Sequence, residues 1–220
     1  MLAERVKRKG HEVTVQFTVK LTGSMLDDEQ ALQRSLNEAG QIAMQPMLEQ
    51  FNTHGEPIRV DGVKHTVRVR SPQTYETPYG PVQVERHVYQ SSKGGRTYVP
   101  LEVNGRMVLN STPRYSQMVS GKYARFGADA ICEDLLECNG RKISRNYAKQ
   151  LSDFVGSVAQ CYETEWAYDL PEFDELVRSI SIGLDGTCML MHQDGWREAM
   201  CGSIAFYDDQ GERLHTIYCS

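Results

Sequence analysis

The chain has 220 residues, 40% of them apolar and 24% charged, which fits one large domain or a few small ones and excludes a disordered polymer. No apolar run approaches the roughly 18 residues that a membrane-spanning helix needs. The start Met-Leu-Ala-Glu-Arg lacks the apolar core of a secretory leader, so the expected compartment is the cytoplasm. The six cysteines show no C-x-x-C spacing and no paired histidines nearby, which argues against a zinc finger or a redox motif and for reduced, small core residues.

Net charge is −5, but it is unevenly spread. Residues 161–220 hold three basic side chains against twelve acidic ones, a balance of −9, which leaves +4 on the first 160 residues. A mildly basic front and a strongly acidic tail fit two jobs, one facing phosphates and one gathering cations; drift of surface charge along the chain gives the same asymmetry.

From His11 to Leu21 apolar and polar residues alternate, with Val13, Val15, Phe17 and Val19 on one face of a half-buried strand. Ser24 offers a helix N-cap with Asp27 three residues on, and Leu32, Leu36, Ala39, Ala43 and Met47 follow at helical spacing. This predicts a helix of about seven turns, bent near Pro46, with Gly40 weakening its middle.

Period two returns from Pro57 to Val103, with turn chemistry at Pro78–Pro81 and Ser92–Gly95, and predicts a small antiparallel sheet. Its polar positions carry Arg68, Arg70, Arg86, Lys93 and Arg96 among Tyr75, Tyr79, Tyr89 and Tyr98. Basic groups beside flat aromatics can grip a phosphate backbone. An ordinary solvated sheet has the same composition.

Three helices are predicted between Ser111 and Gln160. Thr112-Pro113 opens the first, with a stripe of Tyr115, Met118, Val119, Tyr123 and Phe126, and Gly127 ends it. The second carries Ala128, Ile131, Leu135 and Leu136 and closes at Asn139-Gly140. Ser144 caps the third, whose inner seam is Ala148, Leu151, Val155 and Val158, leaving Arg145, Asn146, Lys149 and Gln150 outward. A short helix, a tight turn and a polar-fronted helix make the helix-turn-helix pattern, in which Arg and Asn on the last helix reach base edges while Arg141 and Lys142 hold phosphates. Residues 112–150 carry seven basic and four acidic side chains, +3, which supports contact with DNA; a plain three-helix bundle with a solvated basic face fits equally.

After an acidic stretch, three consecutive strands are predicted at Ser179–Leu190, Arg197–Tyr207 and Arg213–Tyr218, turning at Asp194-Gly195 and at Asp208–Gly211 as an antiparallel meander. Asp185 stands among Ile180, Ile182, Leu184, Met189 and Leu190, where a charged carboxylate is costly unless a cation or hydrogen bonds satisfy it. A divalent metal would do so. The other reading makes Asp185-Gly186 the tip of a two-residue hairpin.

Several segments together resemble the ISKra-type insertion-sequence transposases: Leu36–Gly40, Tyr75–Gly80, Val84–Tyr89, Gly94–Tyr98, Gly183–Met189, Gly195–Met200 and Gly211–Thr216. The last three, in this order and spacing, are the specific ones. The resemblance implies a ribonuclease-H-like catalytic domain whose Asp-Asp-Glu set holds two divalent ions, magnesium by expectation, for phosphoryl transfer on DNA. By motif position Asp185 is similar to the first catalytic, metal-holding aspartate. No residue of this chain matches the second Asp or the Glu. The expected fold is therefore α+β: a strand-helix and small antiparallel sheet in 1–110, a helix-turn-helix module in 111–160, an acidic linker in 161–175, and in 176–220 the first three strands of a truncated ribonuclease-H-like domain. The expected function is that of an N-terminal transposase fragment that binds terminal inverted repeats of DNA and is catalytically incomplete, or of a stand-alone DNA-binding regulator derived from one. Open strand edges in 176–220 predict self-association into a homo-oligomer, or partial disorder.

Overall fold

The computed structural model of the chain describes residues 3–10, 12–163, 168–191 and 195–219. Among the described residues it is a mixed α+β structure of antiparallel sheets and five helices, in two compact units, Met1–Glu165 and Trp166–Ser220. Among the described residues no helix is long and apolar enough to cross a membrane.

The first unit opens with a hairpin of β1 (Ala3–Lys9) and β2 (Glu12–Phe17). The expected alternation survives in β2, where Val13 and Val15 are half-buried between exposed neighbours. The charged β1 carries no strand pattern of its own and is a strand through its pairing with β2, Ala3 opposite Phe17.

Helix α1 (Met25–Glu49) has the expected length and runs through Pro46. Its entry differs from the expected cap. The Ser24 side chain makes no capping bond; instead the backbone N–H and the hydroxyl of Thr22 both donate to Asp28 Oδ1 at 2.8 Å, lowering the Asp28 pKa. The predicted apolar seam is also corrected: Leu32, Leu36 and Met47 are 42–47% exposed, and the buried residues are Ser35, Pro46 and Leu48. A close approach sets this phase. A Cβ on Gly40 would lie 2.3 Å from Cγ of Tyr79, and Gln41 Nε2 donates to the Tyr79 carbonyl at 3.1 Å, so the tip of a β-hairpin rests on the bare helix backbone.

That hairpin belongs to a four-stranded meander of β3 (Ile58–Val60), β4 (Val63–Thr77), β5 (Gly80–Ser91) and β6 (Gly94–Tyr98). Tyr75, Val82, Val84, Val99 and Leu101 pack with Leu48 of α1 as the first core. The expected strand character stops at Tyr98. Pro100, with φ preset for a first helical turn, opens the short α2 (Pro100–Asn104) instead.

A tight turn follows, with Val108 and Ser111 exchanging backbone bonds at 3.0 and 2.8 Å across Leu109 and Asn110, whose φ angles are 48° and 62°. Left-handed backbone suits Asn but crowds the Cβ of Leu. Leu109 is 43% exposed, so Leu109→Asn is expected to stabilise the protein by about 1 kcal/mol, read as a higher urea midpoint with unchanged slope. An unchanged or lower midpoint would remove the strain argument.

Three helices complete the unit: α3 (Pro113–Tyr123), α4 (Ala128–Asn139) and α5 (Arg145–Glu163). Tyr115, Val119, Ile131, Leu135, Ala148 and Leu151 form the second core, all at 0% exposure. The predicted stripes were too wide. Phe126, Leu136 and Val158 are 44–52% exposed, and Gly127 serves as N-cap of α4 after α3 has ended. Helix α5 also continues into the stretch expected as linker.

The second unit is the expected antiparallel meander, β7 (Ser179–Met191), β8 (Gly195–Tyr207) and β9 (Arg213–Cys219), with β8 central. Asp194, part of the first predicted turn, lies outside the described residues. In the second turn Asp208 Oδ1 accepts the N–H groups of Gln210 and Glu212 at 2.9 and 2.8 Å. Neither β7 nor β9 has a second partner strand among the described residues.

Candidate nucleic-acid interface

The turn between α4 and α5 is built by local rules. Gly140, at φ 64°, takes the left-handed position after α4, with the Gly140 N–H on the Leu136 carbonyl at 3.0 Å and the Arg141 N–H on the Leu135 carbonyl at 2.8 Å. Four residues later the Ser144 hydroxyl accepts the Tyr147 N–H at 3.1 Å, the predicted cap. Ala148 and Leu151 then face the core, and Lys142, Arg145, Asn146, Lys149 and Gln150 are exposed.

Two of the exposed cations have carboxylate neighbours. Arg145 pairs with Asp129 at the start of α4, and Lys149 Nζ lies 2.6 Å from Asp153 one turn on, a contact that also raises the Lys149 pKa. All four side chains are 57–71% exposed. Such pairs contribute about 0–1 kcal/mol in water, so a phosphate can displace them at little cost.

Arg141 points elsewhere. Its side chain is 7% exposed, the guanidinium pairs with Glu76 at the end of β4, and it lies over the Tyr115 ring at 5.3 Å. Burial pushes the Tyr115 hydroxyl up to about 12, with the Arg141 charge opposing. Glu76 is held from the backbone as well: its N–H donates to Asn110 O at 2.7 Å and its carbonyl accepts the Thr112 N–H at 2.9 Å. Arg141 thus ties the sheet to the helices, and a guanidinium so engaged has little reach left for a phosphate.

Among the basic and aromatic residues of the four-stranded sheet, Arg86 and three of the tyrosines serve the fold, while Arg68 and Arg70 are exposed. Tyr75 and Tyr89 are fully buried, Tyr79 lies on Gly40, and Arg86 pairs with Glu102, which also accepts a 3.0 Å bond from the Tyr75 hydroxyl. Lys93 in the β5–β6 turn and Arg96 on β6 are exposed as well.

An open cleft of about 870 Å³ between the end of α1 and the faces of β4 and β5 was not anticipated; Gln45, Asn52, His54, Arg70, Gln83 and His87 line it. Its floor is braced by Thr53 Oγ1, 2.6 Å from the Tyr89 hydroxyl, and by Asn52 Nδ2 donating to Glu85 O at 2.8 Å. Glu49 and Glu85 line it too, so with Arg70 the groove is polar and carries charges of both signs. Residues some thirty positions apart assemble it, and no local motif marks them.

Asp185 sits in the interior of β7 opposite Cys201, so Asp185-Gly186 is not a hairpin tip. The argument from apolar burial is corrected, however. Strand alternation puts Ile180, Ile182, Leu184 and Leu190 on the other face, and Asp185 is exposed. Among the described residues no group of three or more His, Cys, Asp or Glu is placed to hold a metal ion. A single solvated carboxylate does not make a magnesium site, so these residues do not fit the ion on their own. The cysteines differ from expectation too: Cys132 is half-buried, and Cys138, Cys161, Cys188 and Cys201 are exposed free thiols.

The chain matches no protein-family model and no curated protein.

Proposed function

We propose that this chain is the DNA-binding N-terminal part of an insertion-sequence transposase of the ISKra type, acting in the cytoplasm on terminal inverted repeats. The observation that carries the reading is the exposed polar front of α5. Lys142, Arg145, Asn146 and Lys149 stand outward on and before its first turns, behind a left-handed Gly140 turn and opposite a fully buried Ala148 and Leu151. In a helix-turn-helix, a helix presented this way enters the major groove, with Asn146 and Arg145 on base edges and Lys142 and Lys149 on phosphates. Arg141 drops out of this contact set because its charge is committed to Glu76.

Asp185 in this reading is one member of a catalytic carboxylate set whose other members and magnesium ions are supplied beyond the described residues. Its solvent exposure favours a second reading, a regulator that occupies transposon ends or its own promoter without cutting DNA. As a catalytically incomplete part, the chain is expected to show no strand cleavage in magnesium, and nicking that vanishes in Asp185→Ala would overturn the reading of an incomplete part. Promoter repression relieved by Arg145→Ala and Lys149→Ala would decide for the regulator.

The binding surface itself is testable by fluorescence anisotropy on a duplex carrying the element end. Lys149→Ala is expected to weaken binding to all sequences and to reduce the salt slope by about 1, and Asn146→Ala to relax sequence preference by about 1–3 kcal/mol. Neither should move the unfolding midpoint, since both side chains are exposed. Undiminished affinity in a Lys142, Arg145 and Lys149 triple alanine variant would end this assignment.

A further inference from the structure

The register of β7 on β8 sorts the second unit's sheet into two unlike faces. Ile180 is opposite Phe206, Ile182 opposite Ile204, and Leu190 opposite Trp196, with Leu184 and Met200 on the same side. Ser181, Asp185, Thr187 and Ser203 lie on the reverse. The preceding segment covers one end of the apolar face: the Phe173 ring is 5.7 Å from that of Phe206, which is 8% exposed, and Tyr168 stacks on His215. Beyond that end the face is bare. Ile182 is 78% exposed, Leu184 74%, Trp196 70%, Leu190 66%, Ile180 57% and Met200 46%.

We propose that a second copy of this chain covers that face, two such sheets packing against one another across a two-fold axis. Area is the first argument. These six side chains leave on the order of 800 Å² of surface open, well above the few hundred Å² usual for an exposed apolar patch and close to what each partner contributes to a standard interface. Self-complementarity is the second. Among the residues placed on this face the acids and bases are Glu198, opposite Cys188, and His215, opposite Phe206 at the covered end, so copy meets copy with little charge to desolvate. A flat sheet face also stacks readily on its own kind at about 10 Å. The acidic surplus of the tail opposes the approach of two copies, so added salt should strengthen association, the reverse of an ion-paired interface.

Sedimentation velocity on the full chain at micromolar concentration tests this. A dimer is expected, tighter in high salt, and Ile182→Lys or Leu184→Lys should weaken it by more than about tenfold, the effect of 1.4 kcal/mol or more. Ser181→Lys on the reverse face should leave it intact. Trp196 emission, read in a Trp166→Phe background, should shift to the red as the protein is diluted, a measurement independent of whether a lysine variant folds. A monomer overturns the proposal: with red emission the face stays bare, with blue emission it is covered within one chain. Polydisperse aggregates, or a dimer that survives both lysine variants with their strand circular dichroism retained, overturn it equally.

Discussion

Arg141→Met is expected to lower unfolding free energy by about 2–4 kcal/mol, at or somewhat below the roughly 3–5 kcal/mol for breaking a fully buried ion pair. The side chain is 7% exposed, and its removal strands the Glu76 carboxylate at the junction of β4 with the helices. Glu76 is itself a third exposed, so water recovers part of the loss, which keeps the effect below that of a fully buried pair. The loss of the guanidinium from the Tyr115 face adds to the cost. Urea unfolding of the single variant and of Arg141→Met with Glu76→Gln separates the contributions, because the double change leaves no unpaired charge and should recover part of the stability. The same measurement on Lys149→Ala should leave the unfolding midpoint where it is in the parent, as surface changes do. Stability unaltered by Arg141→Met would mean that Arg141 is not a structural tie, and would return it to the contact set for phosphate.

Gly40→Ala is expected to destabilise the protein by about 1–3 kcal/mol through overpacking, although propensity alone would make alanine better by about 1 kcal/mol in a helix interior. The added Cβ would meet Cγ, Cδ1 and Cβ of Tyr79 at 2.3, 2.5 and 2.8 Å. These atoms lie at the root of the side chain and cannot swing aside without moving the β4–β5 turn. Tyr79→Gly should therefore rescue Gly40→Ala, and the rescued protein should keep the alanine's propensity gain. A thermal midpoint raised by Gly40→Ala alone would show that the hairpin tip does not rest on the helix.

Gly40 and Arg141 also mark where reading the sequence stops. The stripe of Leu32, Leu36, Ala39, Ala43 and Met47 has correct helical spacing, and α1 has the expected length, yet the helix turns a different side inward. Periodicity shows that a helix has an apolar side; it does not know that Gly40, one turn after Leu36 on that stripe, admits a tyrosine from a hairpin 39 residues later. Arg141 had every local mark of a phosphate ligand, between a tight turn and a polar helix. Its partner Glu76 lies 65 residues away, at the end of a strand whose register no local pattern reports. Asp185 shows the same limit in a strand. Aliphatic neighbours in sequence are on the opposite face in space, so a burial argument made from adjacency fails where alternation rules.

By itself the sequence determined most of the elements and their kinds: the long helix, a small antiparallel sheet with two of its turns, the three helices with Gly140 and Ser144 at their boundaries, and the three final strands. Those choices rest on periodicity, capping and left-handed turn residues, which act within a few positions along the chain. Only the tertiary structure decided which side of α1 is buried, that Arg141 is a tie and the α5 front an open surface, and that the last sheet leaves an apolar face bare. Each of these depends on a partner brought close by folding, or on none arriving, and burial energies belong to such pairs rather than to any single stretch of residues.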